Sequence, residues 1–403
     1  YASDETVARR QGQRKRNAAL LEAIIAVNDE GQEFTLAQLS ELGVSNPEIR
    51  RLELMTRMAG FDSYARLKGH AAEFYTTTAP SRFHAVRADG KPNPKYQEET
   101  PREAQGHLCK GWALSRAVMA KEGIRVYGFR VVEPHHDGTP HWHMVLFMEP
   151  KHVERVRDIL RKYALREDGD EYGAAEHRFS HEAIDRNKGS AVGYLAKYIS
   201  KNINGKGLEG ESDFEGGSVT GNAGRVDSWA SCWGIRQFQQ IGGAGVGVWR
   251  ELRRLGGSGD DSMGSSLSSI TAAADTGDWA GYTALMGGGF AFRKDMAAKV
   301  RRAWFDDART RYDGVGIERI EGVESCVSNV FVKTRLREWV LKRALAPAWS
   351  SVNNCNQDDE ENGGKNRSLA LEAQGGNGIG GAGESRPYSS QDEAGRGNGG
   401  GHG

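Results

Sequence analysis

The run HWHMVLFM at residues 141–148 constrains the fold of this chain more than any other segment. Aromatic and β-branched residues favour a strand, and successive side chains of a strand point to opposite faces of its sheet. His141 and His143 therefore lie on the same face. A second apolar run, IRVYGFRVVE at residues 124–133, comes shortly before it, and the turn sequence HHDGTP follows that run. The two runs predict an antiparallel β-hairpin with two imidazoles on one side.

The length of the hairpin loop decides which side chain stands opposite the histidines. A three-residue loop at 136–138 needs Gly138 in the left-handed conformation of a hairpin bulge. That register places Glu133 opposite His141 and on the same face. A two-residue Asp-Gly turn would instead place Glu133 opposite Trp142, on the other face. A metal site depends on the three-residue loop, and we predict that register.

Two imidazoles and one carboxylate form a ligand set that leaves positions open for water and a phosphate oxygen. Mixed nitrogen and oxygen ligands suit Mg²⁺ or Mn²⁺ in a phosphoryl-transfer site, with Zn²⁺ as an alternative. A histidine pair on a strand is also compatible with a structural role. We predict that Glu133, His141 and His143 bind a divalent metal ion.

The segment GYLAKYISKNI, which starts at residue 193, carries two tyrosines at helical spacing. Tyr194 and Tyr198 are four residues apart, so a helix places both phenols on one face. Such a pair is ordinarily half-buried packing. Lys197 and Lys201 lie beside the phenols, where an ammonium group can pair with phosphate and favour the phenolate, whose unperturbed pKa is about 10. A tyrosine nucleophile near a divalent ion suits transfer of a phosphodiester onto the phenol.

From Phe74 onward the residue patterns predict an α+β layout. The order β-α-β-β-α-β-α indicates a central antiparallel sheet backed by helices. Thr100-Pro101-Arg102-Glu103 combines a capping box with proline at the first helical position. After a first strand near Phe74, the predicted elements are helix 100–123, strands 124–133 and 141–148, helix 151–166, strand 177–185 and helix 189–203.

The segments on either side of this core are predicted to be mostly helical. Residues 5–70 contain AALLEAIIAV and EIRRLELMTRMAG, which have helical apolar spacing. FTLAQLSELGVSNPEIRRL, from residue 34, resembles a helix-turn-helix, although a packing helix pair has the same pattern. Residues 226–255 and 265–345 look helical with glycine interruptions, and their sheet content is left open. The glycine-, serine- and acid-rich residues 351–403 indicate a disordered tail. The predicted domains are residues 1–70, 71–210, 211–350 and 351–403.

Bulk composition excludes several classes of protein. The 54 basic residues balance the 54 acidic ones, so the net charge gives no sign of a nucleic-acid partner. The four cysteines are scattered without CxxC spacing, which argues against a zinc knuckle or a disulfide framework and fits a reduced, cytoplasmic setting. We see no membrane-spanning run and no secretory signal, and the first residue is tyrosine, which fits a fragment or a processed product. GGAGVGVWREL lacks the GK[ST] of a phosphate loop, so no nucleotide cofactor is expected.

PHWHMVLF and YLAKYISK together resemble the HUH endonucleases, in particular the two-tyrosine bacteriophage replication gene A proteins that initiate rolling-circle replication. TTTAPSRFHA, GFRVVEPHHDGTPHWH and WASCWGIRQFQQIGGAGVGVWRELRRL also match blocks of that family. The resemblance covers roughly residues 70–340. It implies that residues 71–210 form an HUH palm, with a central antiparallel sheet and helices behind it.

The resemblance also implies an activity and its residues. That activity is site- and strand-specific nicking and rejoining of DNA through a 5′-phosphotyrosine intermediate. The implied partners are single-stranded or locally melted origin DNA and, because no helicase motif is present, a host helicase and replication machinery in the bacterial cytoplasm. The implied roles are metal ligation by His141 and His143, with Glu133 as third ligand by its position, nucleophilic attack by Tyr194 and Tyr198, and phosphate contact by Lys197.

Other polar residues near the predicted site are candidates for contacts with DNA. Ser81, Arg82 and His84 follow the first strand, and Lys201 lies one helical step beyond Lys197. Two further histidines, spare candidates for metal ligation, are interpreted as turn residues near DNA or solvent. These are His135 and His136.

Three other functions fit parts of the same pattern. A two-tyrosine transposase would use the same chemistry. A non-catalytic DNA-binding regulator would use the helix pair of residues 35–57, and its activity would be unchanged when both tyrosines become phenylalanine. A metal-binding scaffold would carry out no covalent chemistry.

Overall fold

Helices and strands alternate along the chain in an α+β arrangement, as the sequence predicts. In this computed structural model the described residues are 1–87, 89–185, 187, 189–203, 219–256, 263–305 and 317–343. The helices are α1 (Asp4–Glu22), α2 (Leu36–Glu41), α3 (Pro47–Leu67), α4 (Pro101–Lys121), α5 (Val153–Ala164), α6 (Ala174–His177), α7 (Ala191–Ile203), α8 (Val219–Trp233), α9 (Val246–Arg253), α10 (Gly264–Asp275) and α11 (Trp279–Leu285). The strands are β1 (Ile24–Asn28), β2 (Glu33–Thr35), β3 (Ala71–Thr78), β4 (Tyr127–Pro134), β5 (Pro140–Met148), β6 (Phe179–Ala183), β7 (Phe238–Ile241), β8 (Ala298–Phe305), β9 (Ile317–Ser325), β10 (Phe331–Lys333) and β11 (Trp339–Arg343).

A five-stranded antiparallel sheet lies at the centre of the fold. Its strand order is β6-β3-β5-β4-β7, and each neighbouring pair is antiparallel. The predicted hairpin strands β4 and β5 are therefore interior strands with a partner on both sides. Interior strands are held by two hydrogen-bonded ladders, so side chains on them have well-defined positions.

The two faces of this sheet bury different side chains because strand residues alternate. Trp142 and Met144 point to one face, where they belong to an apolar cluster with residues of α4, α5 and α8. Val145 and Phe147 point to the other face, where the apolar cluster includes Leu195 of α7 and residues of α3. We call this second side the site face, because His141 and His143 follow the same alternation.

The predicted hairpin register is confirmed. Glu133 pairs with His141, and Val131 pairs with His143. The His135 amide donates to the Thr139 carbonyl at 2.8 Å, which closes a loop over residues 136–138. Gly138 has φ of 90°, in the left-handed region that the bulge requires.

The predicted core elements agree with the observed ones to within a few residues. Helix α4 begins with the predicted capping box: the Thr100 amide donates to the Glu103 carboxylate at 2.7 Å, and the Glu103 amide donates to the Thr100 hydroxyl at 3.3 Å. The predicted helix 151–166 is preceded by a short 3₁₀ turn and begins at Val153. The tyrosine helix begins at Ala191, two residues later than predicted.

The helical interpretation of AALLEAIIAV is wrong at its C-terminal end. Helix α1 ends at Glu22, and Ile24–Asn28 forms strand β1. This strand pairs antiparallel with β11 on one side and with β2 on the other. Its isoleucines and valine suit a strand, and its main partner lies at the far end of the described chain. Pairing at long range therefore overrides the local helical spacing.

The helical interpretation is also wrong for much of residues 226–345. Strand β7 interrupts the first segment, and the second is helical only as far as Leu285, after which β8, β9, β10 and β11 follow. Strands β8 and β9 form a ladder in which basic residues face acidic ones. The ion pairs are Lys299 with Glu324 at 3.8 Å, Arg301 with Glu321 at 3.3 Å and Arg302 with Glu318 at 3.9 Å.

The helix pair of residues 35–57 is present, and its second helix is part of the core. Helix α3 contacts α7 and α11 and buries Leu54, Met58 and Phe61. The packing interpretation of the pair is therefore confirmed for α3. Within the described ranges no helix is long and apolar enough to cross a membrane. The predicted disordered tail at 351–403 lies outside the described residues.

Candidate metal centre and tyrosine helix

The two histidines and the glutamate predicted as ligands come together on the site face. One nitrogen from each of His141 and His143 and one carboxylate oxygen of Glu133 all lie within 4.8 Å of one another. The two Nε2 atoms are 2.9 Å apart, and the His143 Nε2 is 3.7 Å from the Glu133 Oε2. This group could hold a metal ion, and no second group of this kind occurs in the part of the chain that the structure describes. We call it the candidate metal centre.

Neighbouring side chains orient two of these three ligands. The Thr76 hydroxyl oxygen of β3 lies 3.2 Å from the His143 Nδ1. When the ring carries its proton on Nδ1 and donates to Thr76, the Nε2 lone pair is available to a metal ion. The Asn202 amide of α7 donates to the Glu133 Oε1 at 3.1 Å. Both contacts are of the kind that surrounds metal ligands in proteins, so the residues fit a bound ion.

Burial makes the charge of Glu133 important. The residue Glu133 is only 5% exposed, and His143 is 6% exposed. A buried carboxylate is stable only when positive charge or hydrogen-bond donors surround it. The Asn202 amide supplies one donor, and a divalent cation would supply the charge.

The Tyr198 phenol lies directly on the candidate metal centre. Its ring stacks on the His143 imidazole, with ring centroids 3.9 Å apart and 17° between the planes. Phe74 of β3 is nearly parallel to both rings, at 5.6 Å from His143 and 6.1 Å from Tyr198. Burial, with a further contribution from Glu133, raises the pKa of Tyr198 above its ordinary value. The phenol is therefore protonated at neutral pH.

The Tyr194 phenol has a different environment one turn earlier on α7. Its hydroxyl donates to the Glu182 carboxylate of β6 at 3.0 Å, on the exposed surface. That hydrogen bond raises the pKa of Tyr194. Its ring contacts Phe74 at 5.6 Å, so both tyrosines line the same side of the helix. The predicted shared face of the two phenols is confirmed, and their surroundings are not equivalent.

The structure describes the side chain of only one of the two lysines predicted to contact phosphate. Lys197 is exposed on α7, next to Tyr198 in the chain. Lys201 belongs to α7, and its side chain lies outside the described residues. Their contacts with phosphate stay predictions.

Arg82 and His84, predicted as DNA contacts, both have partners within the protein. Arg82 forms ion pairs with three carboxylates, those of Glu99, Glu167 and Asp168. The His84 Nδ1 lies 3.0 Å from the Asp137 carboxylate, and its ring contacts His135. Their role in DNA binding stays a prediction, now with protein partners that DNA would have to share.

The interpretation of His135 as a turn residue near DNA or solvent needs correction. Its ring stacks on His141 with centroids 4.0 Å apart, and its Nε2 is buried. Burial and the nearby His84 lower the pKa of His135 to about 4. His136 is exposed in the turn, as predicted. No sequence pattern indicated the stacking, because His135 lies just beyond the paired residues of β4.

Comparison with known proteins places this chain in a family. Residues 1–206 match the bacteriophage replication gene A protein (GPA) family. Since that match covers half of the chain, the protein belongs to this family. The match begins at residue 1, whereas the sequence motifs indicated a resemblance from about residue 70.

Individual relatives agree with this assignment. The chain is 46% identical to the "Probable replication protein P12" of Pseudoalteromonas phage PM2 (88% of this chain, 56% of that protein) and 42% identical to the "Replication gene A protein" of Escherichia phage 186 (90% and 54%). It is 38% identical to the "Probable replication endonuclease from prophage-like region" of Shigella boydii serotype 4 (88% and 47%). The chain thus spans about half the length of the curated relatives it matches. A solved aminoacylhistidine dipeptidase from Vibrio alginolyticus matches with 11% identity over 48% of this chain and 45% of that chain, and its TM-score of 0.18 is too low to indicate a shared fold.

Proposed function

We propose that this protein initiates phage DNA replication by nicking one strand with a tyrosine and staying joined to the 5′-phosphate. The observation that carries the proposal is the stacking of Tyr198 on His143, with a second phenol one helical turn away. A relative named as a replication endonuclease supports cleavage of DNA. The proposed fold of the active unit is the HUH palm, with the five-stranded sheet as its base.

The reaction conserves the energy of the phosphodiester. The phenol oxygen forms a bond to phosphorus, the bond from phosphorus to the 3′-oxygen breaks, and the phenol proton is delivered overall to that 3′-oxygen. The products are a 5′-phosphotyrosine and a free 3′-hydroxyl, which a polymerase can extend. The reverse attack by a 3′-hydroxyl rejoins a strand without any external energy source.

The residues of the site meet the needs of this step. A bound Mg²⁺ or Mn²⁺, held by Glu133, His141 and His143, would neutralise charge on the scissile phosphate. Because the pKa of Tyr198 is raised, its attack needs positive charge beside the phenol oxygen. Lys197 is an exposed cationic residue of the same helix, adjacent to Tyr198 in the chain.

Two tyrosines allow sequential transfers on one protein. While one phenol holds a 5′-phosphate, the other can attack the next strand, and the first strand is then rejoined. Tyr194 has to release Glu182 before it attacks, because its hydroxyl proton is engaged there. Among the described residues the Tyr198 hydroxyl has no such partner to release in its stacked position on His143, so we propose that Tyr198 attacks first.

The substrate that fits is unpaired DNA. The phosphate must reach a half-buried phenol in line with its leaving oxygen, which a strand within a duplex cannot do. A host helicase would supply the unwinding. Two glycines in the run of residues 242–247 lie where a side chain would clash: an added Cβ would lie 2.7 Å from the Val126 carbonyl oxygen at Gly242 and 2.4 Å from the Phe61 ring at Gly243.

The test is capture of the covalent intermediate. Wild-type protein with Mn²⁺ and an origin-derived oligonucleotide should give an adduct that survives denaturing electrophoresis. Tyr194→Phe combined with Tyr198→Phe should abolish the adduct, and His141→Ala should reduce it strongly. Tyr172→Phe is the matched control, because Tyr172 is a fully exposed tyrosine that lies before α6 and outside the tyrosine helix. An adduct that persists in the double variant, or its absence with every origin-derived strand, would contradict the proposal.

A further inference from the structure

The side chain of Asn202 connects the tyrosine helix to the candidate metal centre. It lies on α7, four residues after Tyr198, and only 2% of it is exposed. Its amide nitrogen donates two hydrogen bonds, to the Glu133 Oε1 at 3.1 Å and to the Tyr198 backbone carbonyl at 2.7 Å. One amide group thus contacts both a predicted ligand and the residue that carries the phenol.

The orientation of this amide is determined by its partners. A primary amide has two N–H donors on nitrogen and an oxygen that only accepts. Both groups within reach of the nitrogen are acceptors, a carboxylate oxygen and a carbonyl oxygen. A flipped amide would place its oxygen against both of them, so the nitrogen must face Glu133.

The Asn202 side chain uses its N–H donors but not its carbonyl acceptor. The Asn202 Oδ1 is buried and makes no hydrogen bond within the described structure. A buried acceptor left in this state opposes folding. A leucine would fill a similar volume without that penalty, so the contribution of Asn202 lies in what its two N–H groups hold in place.

We propose that Asn202 is a positioning residue that fixes Tyr198 and Glu133 relative to each other. By engaging the Glu133 Oε1, it leaves the Oε2, which is the oxygen nearer to His143, for the metal ion. By holding the Tyr198 carbonyl, it fixes the last turns of α7 against β4. Asn202 thus links the position of Tyr198 directly to that of the predicted ligand Glu133.

Tyr194 is not held in this way. It lies one turn further from Asn202, and its hydroxyl bonds to Glu182 of β6. Loss of the Asn202 amide should therefore affect Tyr198 more than Tyr194. A general loosening of the helix would affect both tyrosines alike, and this difference separates positioning from simple stabilisation.

The test compares three variants in two measurements. Asn202→Leu removes the donors and keeps the volume, and Asn202→Ser is a smaller polar change for use if the leucine variant does not fold. Ser200→Ala is the matched control, since Ser200 is a buried polar residue two positions earlier on the same helix. The first measurement is the dissociation constant for Mn²⁺, obtained by calorimetry without DNA. The second is the share of covalent adduct at each tyrosine, obtained by peptide mapping.

We expect the Asn202 variants to bind Mn²⁺ about 10- to 100-fold more weakly, as for other residues that hold a metal ligand by a hydrogen bond. The share of adduct at Tyr198 should fall relative to Tyr194, and Ser200→Ala should change neither quantity more than about twofold. Unchanged Mn²⁺ affinity, or an equal loss at both tyrosines, would overturn the inference. The adduct measurement rests on the proposed function, whereas the Mn²⁺ measurement does not. A wild-type protein without any adduct would therefore refute the nicking activity and leave the Asn202 test intact.

Discussion

The Tyr198 ring and the His143 imidazole stack face to face, 3.9 Å between centroids. The Tyr198 side chain therefore lines the candidate metal centre and is also the proposed nucleophile of the nicking reaction. The ring and the hydroxyl of Tyr198 have separable roles in the proposed reaction, because the ring contacts the His143 imidazole whereas the oxygen would attack the phosphate. Substitutions that keep the ring and remove the hydroxyl, or that remove both, distinguish the two roles.

Tyr198→Phe should retain Mn²⁺ affinity within about twofold while losing adduct at position 198, because phenylalanine preserves the stacked ring. Tyr198→Ala should lose both the Mn²⁺ affinity and the adduct at position 198, since the His143 ring can then turn away from the ligand position. Calorimetric titration with Mn²⁺ gives the affinity. Equal affinity in the alanine variant would show that the stacking does not orient His143.

Thr76→Val should weaken Mn²⁺ binding by about 10- to 100-fold, because it removes the hydroxyl that meets the His143 Nδ1. Valine keeps the shape and the strand preference of threonine. Thr77→Val is the control, as Thr77 is the next residue of β3 and alternates to the opposite face of the sheet, opposite Trp142. A similar loss of affinity in both variants would point to general damage to β3.

Gly138→Ala should reduce the free energy of unfolding by about 1–2 kcal/mol, because residue 138 has positive φ and alanine is strained there. The same change at Gly106, an exposed position inside α4, should instead stabilise by about 0.5–1 kcal/mol. Urea unfolding followed by circular dichroism measures both. A neutral result at Gly138 would mean that the hairpin loop can change its register.

Glu167→Gln should make the stability less dependent on pH in acid. Hydrogen bonds from Arg166 and then Arg82 lower the pKa of Glu167 to about 2. A carboxylate with a depressed pKa contributes stability above its ordinary pKa of about 4.5, and that contribution is lost as the pH falls toward 2. The urea midpoint should therefore fall less between about pH 6 and pH 3 in the variant than in the wild type.

The matched control for this pH experiment is Glu176→Gln, since the Glu176 carboxylate is exposed and lies 3.8 Å from the Nε2 of the equally exposed His177. Its pH profile should follow that of the wild type. If both variants follow the wild type, the hydrogen bonds that Glu167 accepts from Arg166 and Arg82 contribute nothing measurable to the pH dependence.

The sequence was sufficient for the parts of the site that local geometry determines. Strand alternation and the three-residue loop brought Glu133, His141 and His143 together, and helical spacing put Tyr194 and Tyr198 on one face. Asn202 was within reach of the same reasoning, because it lies four residues after Tyr198. The contact of Asn202 with Glu133 could not be predicted, since that contact depends on how closely α7 packs on β4.

The failures share a physical cause. Strand β1 looked helical because its partner β11 is far along the chain, and no local pattern reveals such a pairing. In strands β8 and β9 charged residues alternate with apolar ones over short stretches, as in a sheet with one exposed face. The neighbouring glycines and helical segments made this strand pattern hard to recognise in the sequence. His135 was interpreted as a turn residue because it follows the predicted strand. Its stacking on the His141 ring depends on the bend of the hairpin, which no local pattern reveals.

The pairing of β1 with β11 also has a consequence for biosynthesis. A nascent chain exposes Ile24–Asn28 early, with only the short β2 to cover one edge, and the second partner strand is not complete until Arg343 has been added. At about 5–20 residues per second, that wait is on the order of 15 to 60 seconds. During translation this isoleucine-rich edge is open to chaperones and to mispairing with neighbouring polysomal copies.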